Sequence, residues 1–530
     1  MVEAEACWAK GTRGSLNFPN DLGNPALEHD MLFIVCVLLA VATYYGKSGR
    51  SAERERWVAR CMDRTIFEAM GSTVDKPGAM MRRRDFLRGS GAAAVWAAMP
   101  GNVRAMQAGA AEHRLEIAPY KLEVKANHFI ETIAYNQQVP GPLLRLREGR
   151  TTSVEMVNRT SEAEVVHWHG MFLAPDIDGA MEEGTPMLAP GQTTRVEFAP
   201  EPAGFRWYHT HTFAGTDFKR GQYTGQHGFL YVEPKENAGR YDQEAFLALH
   251  DWRGQMLAAD DGSMNPTYDV TTINGRTLGF SEPLRVTAGQ RLLLHVLNSS
   301  ATEVHWISFA GHTMQVIALD GNPVPRPQKV EMLRLAPAER VCAVVELNNP
   351  GVWVLGEVRK HVQGAGMGMV VEYAGQTGKP QWLQPEKLVW DYAMFADADE
   401  GHASADVIEV PLVFTSKFAG HGAMDHWMIN GKTYPNTDTI ALHEGKRYRL
   451  LFQNHSTDDH PVHLHRHTFE VTRLAADGRT LRGLKKDVVL VNANTETVVE
   501  FTADNPGSTL FHCHQQNHMD AGFMMLFRYA

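Results

Sequence analysis

The sequence predicts an all-β protein of three tandem Greek-key β-sandwich domains. Three observations predict it. From about residue 115, apolar and polar side chains alternate in short runs, as at 115–117, 152–157 and 292–297, the period of a pleated strand. Gly, Pro, Asn and Asp bound these runs, and few long stretches carry helical periodicity, as in a sandwich. Finally, one unit recurs three times. Gly149, Gly289 and Gly445 each stand nine residues before Asn158, Asn298 and Asn454; nine residues on come His167, Ile307 and His463, and two further His169, Phe309 and His465. A second segment behaves likewise: Gly204, Gly351 and Gly507 precede His209, Gly356 and His512 by five residues, with His211, Val358 and His514 two further on.

Taken in order, residues 1–79 stand apart from the repeat and are expected to precede the native start. Residues 80–111 hold Met80 and Met81, then Arg82-Arg83-Arg84-Asp85-Phe86-Leu87-Arg88 and a small, apolar stretch at 89–99. This resembles a bacterial twin-arginine export signal, so translation is expected to begin here and the chain to be periplasmic or secreted. The apolar run at 31–45 has 15 residues, short of the roughly 20 a spanning helix needs, and no stable membrane insertion of the mature chain is expected. Domain 1 is placed at 112–236, domain 2 at 237–380 and domain 3 at 381–530. The joints fall near 234–240 and 373–385, where Gly, Pro and charged residues gather. Asn-x-Ser/Thr triplets begin at Asn158, Asn298 and Asn454; they coincide with the repeat and read as structural turns.

Net charge is −10, and beyond residue 111 the 37 basic and 50 acidic side chains leave −13. That balance argues against a nucleic-acid partner. Of five cysteines only Cys342 and Cys513 lie in the body, so with Cys513 as a ligand no disulfide framework remains. Cys342, in the apolar run 341–345, reads as a buried core thiol.

The densest chemistry is His512-Cys513-His514, with His518 five residues after the cysteine. On a strand His512 and His514 face one side and Cys513 the other. A thiolate and two imidazoles form the ligand set of a blue-copper electron-transfer site. Three further groups are His167-Trp168-His169, His209-Thr210-His211 and His460-Pro461-Val462-His463-Leu464-His465. Four His-x-His pairs present eight imidazoles, leaving His460, Cys513 and His518 for a separate site. The repeat places the pairs in domains 1 and 3, with domain 2 as a metal-free spacer.

These residues resemble the multicopper oxidases, over about residues 115–530, and that resemblance implies three cupredoxin-like domains and four copper ions per chain. By it, His460, Cys513 and His518 hold the type 1 copper, and His167 and His463 the type 2 copper. His169, His209 and His514 hold one type 3 copper, and His211, His465 and His512 the other. Electrons enter at Cys513 and pass through His512 and His514 to the cluster that reduces dioxygen to water. The family's axial position, ten residues after the cysteine, is Phe523, a non-ligand beside Met524, which implies a high reduction potential. Asp178 resembles an acid that delivers protons to the trinuclear site, although an Asp before Gly is also a common turn residue. Some relatives place a Glu after the second type 1 histidine; this chain has Met519, then Asp520.

The leading expectation is a laccase-like oxidase of phenols and aromatic amines. The alternatives are a metal oxidase acting on Cu(I) or Mn(II) in copper resistance, distinguished by a Met-rich hairpin or an acidic pocket beside His460 and His518, and a non-catalytic exported scaffold that has lost copper.

Overall fold

The computed structural model describes residues 111–235, 241–259, 262–398, 406–474 and 479–530. The expected N-terminal extension (1–79) and all but the last residue of the expected twin-arginine-type signal and linker (80–111) lie outside the described residues. No helix among the described residues is long and apolar enough to cross a membrane.

The fold is all-β, and the three repeats become three pairs of packed sheets. In the first, a sheet ordered His128–Tyr135, His113–Lys125, Thr152–Asn158, Thr193–Phe198 faces one ordered Gly141–Arg147, His227–Glu233, Gly204–Thr210, Val166–His169. The second and third each pair a six-stranded sheet with a five-stranded one. All three share a parallel pairing of the first long strand with the strand ending at the repeat asparagine: His113–Lys125 with Thr152–Asn158, Gln243–Ala258 with Arg291–Asn298, Val407–Lys417 with Arg447–Asn454. Non-sequential strands lying side by side are the mark of a Greek key.

The asparagines themselves explain why the unit recurs. Asn158, Asn298 and Asn454 are fully buried. Each side-chain oxygen accepts from the backbone N–H two residues on, at Thr160, Ser300 and Ser456. Each amide donates to two or more backbone carbonyls: Glu162 and Leu188, Glu303 and Leu335, and Asp458, Val491 and Asn492. One residue thus satisfies a buried turn whose polar groups would otherwise be orphaned, and it sets the next strand (Val166–His169, His305–Phe309, His460–Leu464) at the same place in each sandwich. The triplets are turns.

The run at 292–297 is buried on both faces rather than half-exposed. Leu292, Leu294 and Val296 join the main core, which continues into the third sandwich through Tyr392, Phe395 and Leu490. Leu293 and Leu297 face the first sandwich, against Phe205, Trp207 and Phe229. The middle sandwich is therefore clamped between its neighbours. Cys342, on Arg340–Glu346, is buried among the same residues, and that burial pushes its thiol up to about 12.

Candidate metal centre

In the first sandwich Val166–His169 pairs antiparallel with Gly204–Thr210, setting His167 opposite His209. In the third, His460–Leu464 pairs with Ser508–Cys513, setting His463 opposite His512 and Val462 opposite Cys513. Strand alternation then sorts the side chains as the sequence implied. Cys513 faces His460 and His518, while His512 faces His211 and His465.

The eight imidazoles of the four pairs converge where these two sandwiches meet. His167 stacks on His465 with ring centres 4.0 Å apart, and His169 on His463 at 3.8 Å; each stack joins one domain to the other. His465 and His512 bring their Nε2 atoms to 3.0 Å, and His211 and His512 to 3.4 Å. His169, His209 and His514 lie with ring centres 5.1 to 5.7 Å apart. Backbone carbonyls fix the rings from behind: Asp178 O at His167 Nδ1 (2.8 Å), Asp487 O at His463 Nδ1 (2.7 Å), Thr210 O at His209 Nδ1 (2.7 Å) and Cys513 O at His512 Nδ1 (2.9 Å). A carbonyl accepts only from N–H, so the other nitrogen of each ring keeps its lone pair and points inward. His167, His209 and His463 Nε2, His169 Nδ1 and both nitrogens of His514 are buried with no hydrogen-bond partner within the protein. Buried polar atoms are normally paired, so orphans gathered at one point mark a ligand set. Burial, then the neighbouring imidazoles, holds His169, His465 and His514 well below the usual histidine range, and burial lowers His211 to about 3. Neutral rings are what a metal needs.

The second group is a triangle. Cys513 Sγ lies 3.7 Å from both His460 Nδ1 and His518 Nδ1, which are 3.2 Å apart. Its centre is about 2 Å from each corner, a bond length from a first-row metal to imidazole or thiolate. All three residues are buried. Burial raises the Cys513 thiol above its usual range, so its thiolate needs a bound cation to balance it. Two imidazoles and a thiolate in a trigonal set suit copper, and the residues present fit that metal. Three matches to multicopper oxidase family models then cover residues 117–237, 244–369 and 410–530, one per sandwich.

The chain belongs to the multicopper oxidase family.

Among relatives, the multicopper oxidase MmcO of Mycobacterium tuberculosis is 29% identical over 431 residues, spanning 74% of this chain and 82% of that protein. Laccase-3 of Thanatephorus cucumeris is 26% identical, spanning 81% and 92%. The crystal structure of a multicopper oxidase from Pseudomonas thermotolerans matches with a TM-score of 0.63 at 25% identity, covering 79% of this chain and 98% of that one. Multicopper oxidases are copper oxidoreductases that use dioxygen, so the coarse class of this enzyme is settled with its fold.

Within this multicopper oxidase, Phe523 is fully buried and its ring centre lies 4.7 Å from that of His460. Met524, the neighbouring candidate, pairs with His512 on Met524–Tyr529 and is half-buried. Asp178 is fully buried. Its Oδ2 lies 2.8 Å from His465 Nδ1 and 3.2 Å from His167 Nδ1. The loop that carries it passes directly behind the His167 strand. A Cβ at Gly179, where φ is +101°, would lie 2.1 Å from Val166 O, so only glycine admits that approach. His467 contacts His465 O and the Tyr529 hydroxyl at 3.0 and 2.8 Å, a packing role.

Sequence reasoning missed two acids and two arginines. Glu183 is buried 3.5 Å from His465 Nδ1, and burial and then Asp178 raise it well above the usual carboxylate range. Asp487 Oδ1 lies 3.2 Å from His169 Nε2, and Arg206 and Arg340 reach the same carboxylate. Nothing in a loop acid or a strand-edge Lys-Asp signals full burial; only Glu183's place five residues after Asp178 was a hint.

Proposed function

We propose that this multicopper oxidase is laccase-like: it removes single electrons from phenols or aromatic amines and uses four of them to reduce dioxygen to two waters. His460, Cys513 and His518 would hold the type 1 copper; His167 and His463 the type 2 copper; His169, His209 and His514, with His211, His465 and His512, the type 3 pair. Bound copper supplies reversible one-electron chemistry that no side chain here has alone. The observation that carries the phenol reading is Phe523. It packs on His460 and has no lone pair, so the trigonal set gains no fourth donor and the potential rises.

The chain's own residues then divide the work. His518 Nε2 lies 3.6 Å from Asp458 Oδ2, a carboxylate that is partly exposed. That edge is where a phenol hydroxyl would dock and hand over its proton. Trp427 packs on the His518 ring at 4.1 Å and keeps water off its face. Cys513 shares peptide bonds with His512 and His514, a short covalent route between the two donor groups. Asp178, at hydrogen-bond distance from His465, is the carboxyl group placed to relay protons to the oxygen-reducing group. Asp178→Asn keeps the shape but not the acid. It should slow oxygen reduction by about 10²- to 10⁴-fold without slowing anaerobic reduction of the Cys513 site by a phenol; equal slowing of both would remove the proton role.

Asp458 also favours a second reading, a metal-ion donor. Asp425 acts electrostatically on His518 as well, and a shallow cavity nearby is lined by Met424, His426 and Asp520. Oxygen uptake by the copper-loaded chain with 2,6-dimethoxyphenol, Cu(I) or Mn(II) separates the readings. Fastest uptake with the phenol is expected. Phe523→Met should lower the potential of the blue site by on the order of 60 to 100 mV, about 59 mV being tenfold in a one-electron equilibrium, and slow the hardest donors first. Uptake with a metal ion alone would move the function to metal oxidation.

A further inference from the structure

The middle sandwich carries no candidate ligand, yet one of its side chains reaches the histidine group. Arg340 is fully buried and grips Asp487 in a two-point fork, Nη1 to Oδ1 at 2.5 Å and Nη2 to Oδ2 at 2.6 Å. Asp487 in turn touches one imidazole from each copper-binding domain. Its Oδ1 lies 3.2 Å from His169 Nε2, and its backbone carbonyl accepts from His463 Nδ1 at 2.7 Å. Arg340 also donates to the carbonyls of Ala338 and Asp320 in its own domain and Phe205 in the first. Arg206, from the first domain, adds a contact to Asp487 Oδ2 at 3.3 Å. Space for the fork is made by Gly170, the residue after His169. A Cβ there would lie 2.6 Å from Asp487 Oδ2 and 3.0 Å from Arg340 Nη2.

Buried ion pairs are weak stabilisers, because desolvation offsets most of the attraction. A bidentate arginine does offer fixed geometry. We propose that Arg340 is a positioning residue for the trinuclear site: through Asp487 it sets His169 and His463, so that the ligand-free domain governs how tightly the histidine group holds copper. This rests on the ligand assignment given above and adds a role for domain 2 beyond that of a spacer.

A second cation of the same junction provides the control. Lys486 is buried against Asp320 Oδ2 at 2.8 Å and Glu339 Oε1 at 3.0 Å. It ties domains 2 and 3 together but makes no contact with the Asp487 carboxylate among those described.

The test is chelator dialysis of the copper-loaded chain, reading copper per chain, the blue absorption of the Cys513 site and the electron-spin signal of type 2 copper. Arg340→Lys keeps the charge and loses the fork. It is expected to keep the blue absorption and to lose the type 2 signal at about 10- to 100-fold less chelator than the parent, the usual cost of losing a partner behind a ligand. Lys486→Gln should lower the melting temperature and leave the type 2 signal as chelator-resistant as in the parent. Equal resistance in Arg340→Lys and parent overturns the proposal, as does equal loss in both variants. Should Arg340→Lys not fold, Asp487→Asn, which keeps shape and one acceptor, decides by the same readout: parental resistance overturns. A parent chain that holds copper only at Cys513 overturns the ligand assignment itself, and this inference with it.

Discussion

Cys513→Ser is expected to abolish donor oxidation and leave the fold intact. Cys513 is fully buried with no disulfide to lose, and Ser is close to it in size. The hydroxyl fits the same space, but an alkoxide is not available as a soft ligand, and the triangle with His460 and His518 loses the corner that selects copper. Loss of a partner behind a ligand costs about 10- to 100-fold, so loss of the ligand itself should exceed about a hundredfold and remove the blue absorption. Oxygen uptake with 2,6-dimethoxyphenol and a melting curve check both halves. Residual turnover within tenfold of the parent would show that electrons enter elsewhere.

The second large effect is acid. Burial lowers His250 and His467 to about 4, against about 6.5 in an unfolded chain. Above pH 6.5 neither state is charged. As pH falls from 6.5 toward 4 the unfolded chain takes up protons that the folded chain refuses, and stability is lost. Each group contributes up to on the order of 3 kcal/mol. His305 has the opposite sign. Burial opposes its charge, but Asp251 and Glu357, at 2.9 and 3.1 Å, raise it to about 10. Its contribution is complete below pH 6.5 and fades only as pH rises through 10, so it does not change across the acid window. Burial opposes the charge of Glu357, but His305 and Arg359 lower it to about 2, so its contribution is complete above about pH 4.5 and is lost as pH falls from there toward 2, at and below the acid end of this window. The copper-free chain should therefore melt on the order of 10 °C lower at pH 4.5 than at pH 7. A melting temperature that is flat over this range would contradict the burial of these rings.

Much of this could be read from the residues in order. His-x-His on a strand puts two rings on one face by geometry alone, and the threefold recurrence of Gly149, Gly289 and Gly445 with their asparagines showed which domains hold histidines and which does not. Register was not legible. That His463 stands opposite His512, rather than a residue away, depends on turns whose conformation is set by Asn454 and its carbonyl partners. Nor were the buried charges. Asp487 follows two lysines in the sequence, which reads as a solvated edge, and its burial comes from Arg340, 147 residues away. Domain 2 carries Ile307, Phe309, Gly356 and Val358 at the histidine positions of the repeat, and a lone arginine on a strand does not signal a reach into a neighbouring domain. The run at 292–297 likewise showed strand character but not that its second face would be covered by another domain.

His169 meets Asp487 across 318 residues, His211 meets His512 across 301, and His465 meets Asp178 across 287. Contacts this distant in sequence are slow to form, because the loop they close must be ordered first. The first sandwich shares a core with the second and by itself holds only half of each histidine stack. The cysteine and its flanking histidines lie in the last twenty residues. Copper capture at either group therefore has to wait until the strand carrying Cys513 has joined the third sandwich and that sandwich has met the first, and a chain that lacks Ser508–Cys513 has neither donor group complete.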